Sequence, residues 1–250
     1  MDDIYFQMFN LFKTYPDLVV NLSRRSDGNM KLFEANPTGE HNRARFLVSL
    51  GLDGESWVRS ENVHGKTVTV VDESVKGTFI TGADGLITTS RGLSLLAAVA
   101  DCLPLYFYDP RLNGIGLAHA GWRGVYANIA AEMIDQLVTQ FNSKSTDILV
   151  GIGVGIGACH FTVKPEVAEK FAGYAAANQQ FAEYIQPDAD GLIHVDLKGI
   201  VKEQLVAKGI SAEHIEINPD CTYCQQENYF SRRRDAPVLE AMISVISLKK

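Results

Sequence analysis

Two imidazoles and a thiol stand where apolar runs give way to turns: His64 in Val63-His64-Gly65, Cys102 in Ala100-Asp101-Cys102-Leu103-Pro104, and His119 in Ala118-His119-Ala120-Gly121. Two histidines and one cysteine suit zinc, and three protein donors leave the fourth tetrahedral position for water or substrate. An ion held that way lowers the pKa of its water to about 7 and makes hydroxide available at neutral pH. A quieter reading makes His64 a turn residue, Cys102 a small buried hydrophobe and His119 a satisfied core histidine. In a third, Cys102 is a nucleophile activated by His119 and oriented by Asp101. Residue types and spacing leave all three open.

Other groups bear on the choice. Arg43, Arg91, Arg123 and the run Arg232-Arg233-Arg234 are the cations nearest to loops. Arg123 follows the Gly121-Trp122 turn at an expected helix start, where a guanidinium and backbone N–H groups together suit an anion. Near the C-terminal end, His214-Ile215-Glu216 is followed by Pro219-Asp220-Cys221-Thr222-Tyr223-Cys224, a likeness to the H-x-E and P-C-x-x-C parts of zinc nucleobase deaminases. There the two parts lie well apart, whereas here they nearly touch and Asp220 splits the Pro-Cys pair, so coincidence is the better account. Cys221-x-x-Cys224 alone reads as half a structural zinc site, a redox pair or, most simply, buried thiols. Gly153-Val154-Gly155-Ile156-Gly157-Ala158 matches a dinucleotide fingerprint but lacks an immediate helix and an acidic residue about twenty positions on. Its glycines suit a close backbone approach instead.

The elements that must position these groups follow from apolar patterning. Short runs at 17–25, 56–63, 67–71, 85–88, 93–100, 103–108, 115–119, 147–152, 215–218 and 241–248, bounded by turn residues, read as strands, several of them buried. Helical spacing marks 43–50, with Gly51 as C-cap, and the segment carrying Ile129, Met133, Ile134, Leu137 and Phe141. Two more helices are predicted, one opening at Pro165 and running through Phe171, the other over 196–208. Residues 29–42 read as a loop, and the first sixteen residues as an arm or a short helix. No repeat or linker divides the chain, so the expectation is one α/β domain over residues 1–250, a mixed α+β sandwich whose residues 1–41 form an N-terminal arm.

Composition narrows the function classes. Thirty acidic against 23 basic residues, a net charge of −7, argue against a nucleic-acid surface. The opening Met1-Asp2-Asp3 carries acids where a signal peptide carries bases, and no apolar run reaches membrane-spanning length. The expectation is a soluble cytoplasmic protein whose four cysteines are thiols or ligands rather than disulfides.

Taken together, His64-Gly65, Ala83-Asp84-Gly85-Leu86-Ile87-Thr88, Ala100-Asp101-Cys102-Leu103-Pro104, His119-Ala120-Gly121-Trp122-Arg123-Gly124, Cys221-Thr222 and Phe230-Ser231-Arg232-Arg233-Arg234-Asp235 resemble the laccase-domain family. This is also called the multicopper polyphenol oxidase or purine nucleoside phosphorylase family and includes a peptidoglycan editing factor. The resemblance spans about residues 42–235. It implies zinc on His64, Cys102 and His119, with purine nucleosides and phosphate as substrates. The implied reactions are phosphorolysis of adenosine, inosine or methylthioadenosine and hydrolytic deamination of adenosine. On that reading Arg43, Arg123 and Asn42 contact phosphate and substrate, and Asp101 acts beside the metal. Copper-dependent phenol oxidation is the older assignment, and six histidines are too few for a multicopper centre. Two further alternatives are a cysteine-dependent amide hydrolase acting on a cell-wall precursor and a non-enzymatic, metal-stabilised binding protein. Asn62 in place of glutamine, Gly153-Val154-Gly155 in place of a Gly-Pro turn and Arg232 in place of an aromatic residue depart from the family pattern without removing a metal ligand.

Overall fold

The computed structural model describes residues 8–31, 37–177 and 179–250. In chain order the first half comprises β1 (Leu18–Leu22), α1 (Pro37–Ser49), β2 (Trp57–Ser60), β3 (Val68–Val70), β4 (Thr78–Ile80), β5 (Gly85–Thr88), β6 (Ser94–Val99), β7 (Leu103–Asp109) and β8 (Gly114–Ala120). The second half comprises α2 (Trp122–Tyr126), α3 (Ile129–Phe141), β9 (Leu149–Ile152), β10 (Thr162–Val163), α4 (Pro165–Ala177), β11 (Ile185–Pro187), β12 (Ile193–Val195), α5 (Leu197–Ala207), β13 (Ile215–Ile217), α6 (Arg232–Asp235) and β14 (Met242–Leu248).

Two mixed sheets carry the fold, one ordered β1-β14-β6-β2-β4 and the other β13-β9-β7-β8-β5-β3. Their strands are apolar on both faces because each face is covered. Val58, Leu95 and Ile246 of the first sheet meet Leu86, Tyr106 and Leu117 of the second in one buried cluster. Against the outer face of the second sheet lie Met133, Ile134 and Leu137 of α3 with Ile200, Val201 and Leu205 of α5. Phe46 and Leu47 of α1 close the outer face of the first against Trp57, Leu96 and Val245. The order is helix, sheet, sheet, helices, the mixed sandwich expected. Fully burying one such aliphatic side chain contributes about 1.5–3 kcal/mol, so a slip in register would expose a whole face and is strongly disfavoured.

Some features go beyond the reading of the sequence, the short strand β4 among them. Helix α1 opens at Pro37, within the stretch read as a loop, because proline is well suited to the first helical turn and Gly39 does not stop it. Strand β1, within the run 17–25 read as a strand, pairs with β14 from Leu18↔Leu248 to Leu22↔Ser244 and ties that stretch into the first sheet. Residues 1–7 and 32–36 of the expected arm lie outside the described residues. A small sheet ordered β10-β12-β11, with strands of two or three residues, was not anticipated.

Two connections cross from one sheet to the other at the same end of the sandwich. Residues 61–67 join β2 to β3, and residues 100–102 join β6 to β7. The end of β8 lies beside them, with His119 opposite Pro104 in the ladder. Three dispersed sequence segments are thereby brought together.

Candidate metal and nucleoside site

His64, Cys102 and His119 converge. Their candidate donor atoms all lie within 4.8 Å of one another, with His64 Nε2 3.9 Å from Cys102 Sγ. The two imidazole rings meet edge to face at 4.8 Å. Backbone conformation makes this convergence possible: Asn62, His64 and Asp101 are all left-handed, at φ 68°, 63° and 85°. Such conformations in non-glycine residues are uncommon and cluster where function demands a particular side-chain direction. Gly121 completes the cradle, since a Cβ there would sit 2.8 Å from His64 Cδ2 and 3.0 Å from Cys102 Sγ.

Asp84, fully buried at the start of β5, orients both histidines. His119 Nδ1–H donates to its Oδ1 at 3.0 Å, which leaves Nε2 as the ring nitrogen available to a ligand. The backbone N–H groups of His64 and Gly65 donate to the same carboxylate at 2.9 and 2.6 Å. This is the carboxylate–histidine arrangement that fixes tautomer and ring orientation in metal sites.

The electrostatics agree with that donor set. Burial alone would raise the Cys102 thiol, but the charge and hydrogen bonding of His119, then of His64, bring it down to about 6. Burial disfavours the His119 cation, yet the Cys102 thiolate and the Asp84 carboxylate raise it to about 9. Asp84 is held below the usual carboxylate range, its desolvation outweighed by His119 and the two backbone N–H donors. Without an ion, this is a thiolate–imidazolium pair beside a second imidazole. Two imidazoles and a thiolate at these separations can hold one metal ion.

The three donors line a cavity of about 310 Å³ together with Lys31, Arg59, Glu61, Asn62 and Arg232. Arg59 was not singled out in the sequence. It is 4% exposed on β2, lies over the Phe79 ring at 4.5 Å, and its Nε and Nη1 have no hydrogen-bond partner among the described residues. Burial, with Arg43 nearby, lowers its pKa to about 10. A signal was present, because a charged residue inside the strand Trp57-Val58-Arg59-Ser60 demands a reason. In the sequence Asp84 stands out only as part of Ala83-Asp84-Gly85.

The other expected contacts lie elsewhere. Arg43 is buried with its guanidinium 4.1 Å from the Trp57 ring centroid, and Asn42 Nδ2 donates to the Asn29 carbonyl at 3.1 Å. Arg123 is exposed and stacks over Trp122 at 4.4 Å. None of the three lines the cavity. The Asp101 carboxylate accepts from Thr222 Oγ1 at 2.6 Å and from the Arg233 backbone N–H at 2.7 Å, so it ties two loops to the Cys102 turn.

Residues 29–249 match the family described as multi-copper polyphenol oxidoreductase laccase. The chain belongs to that family. A purine nucleoside phosphorylase, YlmD, of Geobacillus stearothermophilus is 34% identical over 217 residues, 84% of this chain and 78% of the relative. An adenosine deaminase, RL5, from an unknown prokaryotic organism is 30% identical over 77% of this chain and 75% of its own. The crystal structure of the Geobacillus YlmD superposes with a TM-score of 0.88 at 31% identity, covering 95% of this chain and 94% of that one. The laccase-domain fold is therefore shared across nearly the whole length. Among the described residues no helix is long and apolar enough to cross a membrane.

Proposed function

We propose that this laccase-domain chain is a metal-dependent enzyme of purine nucleosides, with zinc on His64, Cys102 and His119. The observation that carries the reading is the opening of a three-donor cluster onto a cavity whose wall includes the buried Arg59. The names of the similar proteins, a phosphorylase and an adenosine deaminase, supply the two reactions. In phosphorolysis the bond between ribose C1′ and the base nitrogen breaks, a phosphate oxygen bonds to C1′, and the base leaves with a proton. In deamination water adds at purine C6 and ammonia leaves. A zinc ion held there would supply Lewis acidity and an ionised water at neutral pH.

The chain's own residues supply the rest. The Arg59 guanidinium, in the cavity wall, attracts phosphate by its charge, an effect strengthened by burial. Asp84 keeps the His119 proton on Nδ1, so Nε2 stays a donor atom. Asn62 Nδ2 donates to the Ala98 carbonyl at 2.7 Å and its Oδ1 accepts from Ser60 Oγ at 2.7 Å, which fixes the turn that presents His64. Asp101 positions the Cys102 turn rather than touching substrate. Arg43, Arg123 and Asn42 act at most through neighbours, and cytoplasmic residence completes the reading.

Incubation of purified protein with adenosine, with and without phosphate, tests it. Expected products are adenine with ribose 1-phosphate only when phosphate is present, and inosine in either case. Metal-loaded protein that forms none of these overturns the reading. The depressed Cys102 thiol favours one second reading, amide hydrolysis by a cysteine nucleophile, as on a cell-wall precursor. That reading predicts that alkylation abolishes the activity of metal-free protein, whereas the metal reading predicts that chelation does so.

A further inference from the structure

Away from the cavity, a second set of donors gathers between two loops. Cys159 and His160 lie in the loop after β9, and Cys221 and Cys224 in the loop after β13. Their four donor atoms lie within 4.8 Å of one another. Cys159 Sγ is 3.7 Å from Cys224 Sγ, and His160 Nδ1 is 3.3 Å from each of them. A tetrahedral zinc with bonds of about 2.3 Å to sulfur and about 2.0–2.1 Å to nitrogen requires sulfur–sulfur edges of roughly 3.8 Å and sulfur–nitrogen edges of roughly 3.6 Å. These three separations match those edges within a few tenths of an ångström, and Cys221 Sγ lies within 4.8 Å of the other donors.

The surroundings hold the donors in that arrangement. The Gly157 N–H donates to Cys221 Sγ at 3.2 Å, a contact that favours a thiolate. A Cβ on Gly157 would lie 3.3 Å from both Cys159 Sγ and Cys221 Cβ, so a side chain there would press on the ligands by a few tenths of an ångström. The His160 ring stacks on Tyr223 at 4.1 Å and 16°, which keeps Nδ1 turned toward the sulfurs. Three thiolates and a divalent cation leave one net negative charge. Two cations brace these loops: Lys198 Nζ donates to the Asn218 and Asp220 carbonyls at 2.7 Å, and Arg233 Nη1 donates to the His160 carbonyl at 3.0 Å.

We propose that Cys159, His160, Cys221 and Cys224 form a second, structural zinc site of the closed Cys₃His type. The four donors fill the coordination shell, so the ion has no open position and performs no chemistry. Its role is to clamp the loop of residues 153–161 to that of residues 218–231. The clamp reaches the first cluster through Asp101, whose carbonyl accepts from the Ile156 N–H at 2.8 Å and whose carboxylate accepts from Thr222. Half of this site was visible as Cys221-x-x-Cys224. Its partner pair lies a whole helical layer away in sequence.

Metal content of the full chain tests the proposal independently of any nucleoside activity. The variant His64→Ala/His119→Ala is expected to retain about one tightly bound zinc per chain, and the further change Cys221→Ser/Cys224→Ser to remove it. Retention of no zinc by the first variant overturns the proposal. A measurement on the unaltered protein covers the case in which variants fail to fold. Cys159 and Cys224 are exposed, yet they should alkylate at least about tenfold more slowly before a strong chelator is added than after it. Equal rates, or a Cys159–Cys224 disulfide in protein prepared under reducing conditions, overturn it. Absence of turnover on nucleosides with zinc protection intact would sink only the preceding functional reading.

Discussion

The two clusters use nearly the same donor atoms in opposite arrangements. His64, Cys102 and His119 supply three donors lining a cavity, two from turns whose backbone is left-handed at His64 and Asp101 and one from the end of β8. Cys159, His160, Cys221 and Cys224 supply four, between loops and facing each other. The first cluster invests a buried carboxylate, Asp84, in aiming its histidine. The second relies on a backbone N–H and a stacked ring. Donor type alone does not separate a reactive site from a structural one. What separates them is whether the fold leaves a coordination position facing a cavity, and whether a carboxylate fixes the ligand that faces it.

Removing a ligand from each side breaks the comparison most sharply. Cys102→Ala should abolish nucleoside turnover and lose the cavity ion while leaving the second ion in place, as read by product assay and metal analysis of the same sample. Retention of turnover would show that the cavity cluster is not the site. The next effect belongs to Arg59. Hydrogen bonds to a charged group are worth about 1.5–3 kcal/mol, so Arg59→Met should lower phosphorolysis at subsaturating phosphate by about 10- to 100-fold and leave deamination within about twofold. Equal loss of both reactions would make Arg59 a structural cation. Asp84→Asn keeps the shape but removes the charge that aims His119. It should weaken metal binding by about 10- to 100-fold in a competition with a chelator, with no change at the second cluster.

How far the site was legible before the structure depended on sequence distance. The buried strands β5, β7, β8 and β14 announced themselves as apolar runs between turn residues, and the helix with Ile129, Met133 and Leu137 by its period. The small sheet of β10, β11 and β12 did not, because strands of two or three residues leave no period to read. Helical spacing marks only 43–50 and residues 29–42 read as a loop, although Pro37 serves well as a helix start. His64, Cys102 and His119 were singled out by their position at strand ends, but their meeting depends on two sheet-crossing connections that no local pattern encodes. Cys221 and Cys224 were noted as half a site for the same reason: Cys159 and His160 reach them only through tertiary packing.

The smallest effect tests whether the loop of the second cluster is anchored from its far side. His194 on β12 spans the Ala158 carbonyl, 2.6 Å from Nδ1, and Asp188, 3.0 Å from Nε2. These two partners raise its pKa, the Ala158 carbonyl foremost, and Asp188 is lowered chiefly by its bond to His194. Because the folded pKa of His194 exceeds its unfolded value, its stabilisation is complete below about pH 6.5 and is lost as pH rises through the folded value. The Asp188 contribution has the opposite sense, present above about pH 4 and lost as pH falls below that. Between those limits both act. The difference in Tm between the unaltered protein and His194→Gln should therefore be largest near pH 5.5 and shrink toward pH 8. For a pair this exposed the maximum is about 1–3 °C. A difference independent of pH would mean that His194 holds the Ala158 carbonyl as a neutral ring, so that the loop bearing Cys159 and His160 owes its position to the metal ligands and not to a charge.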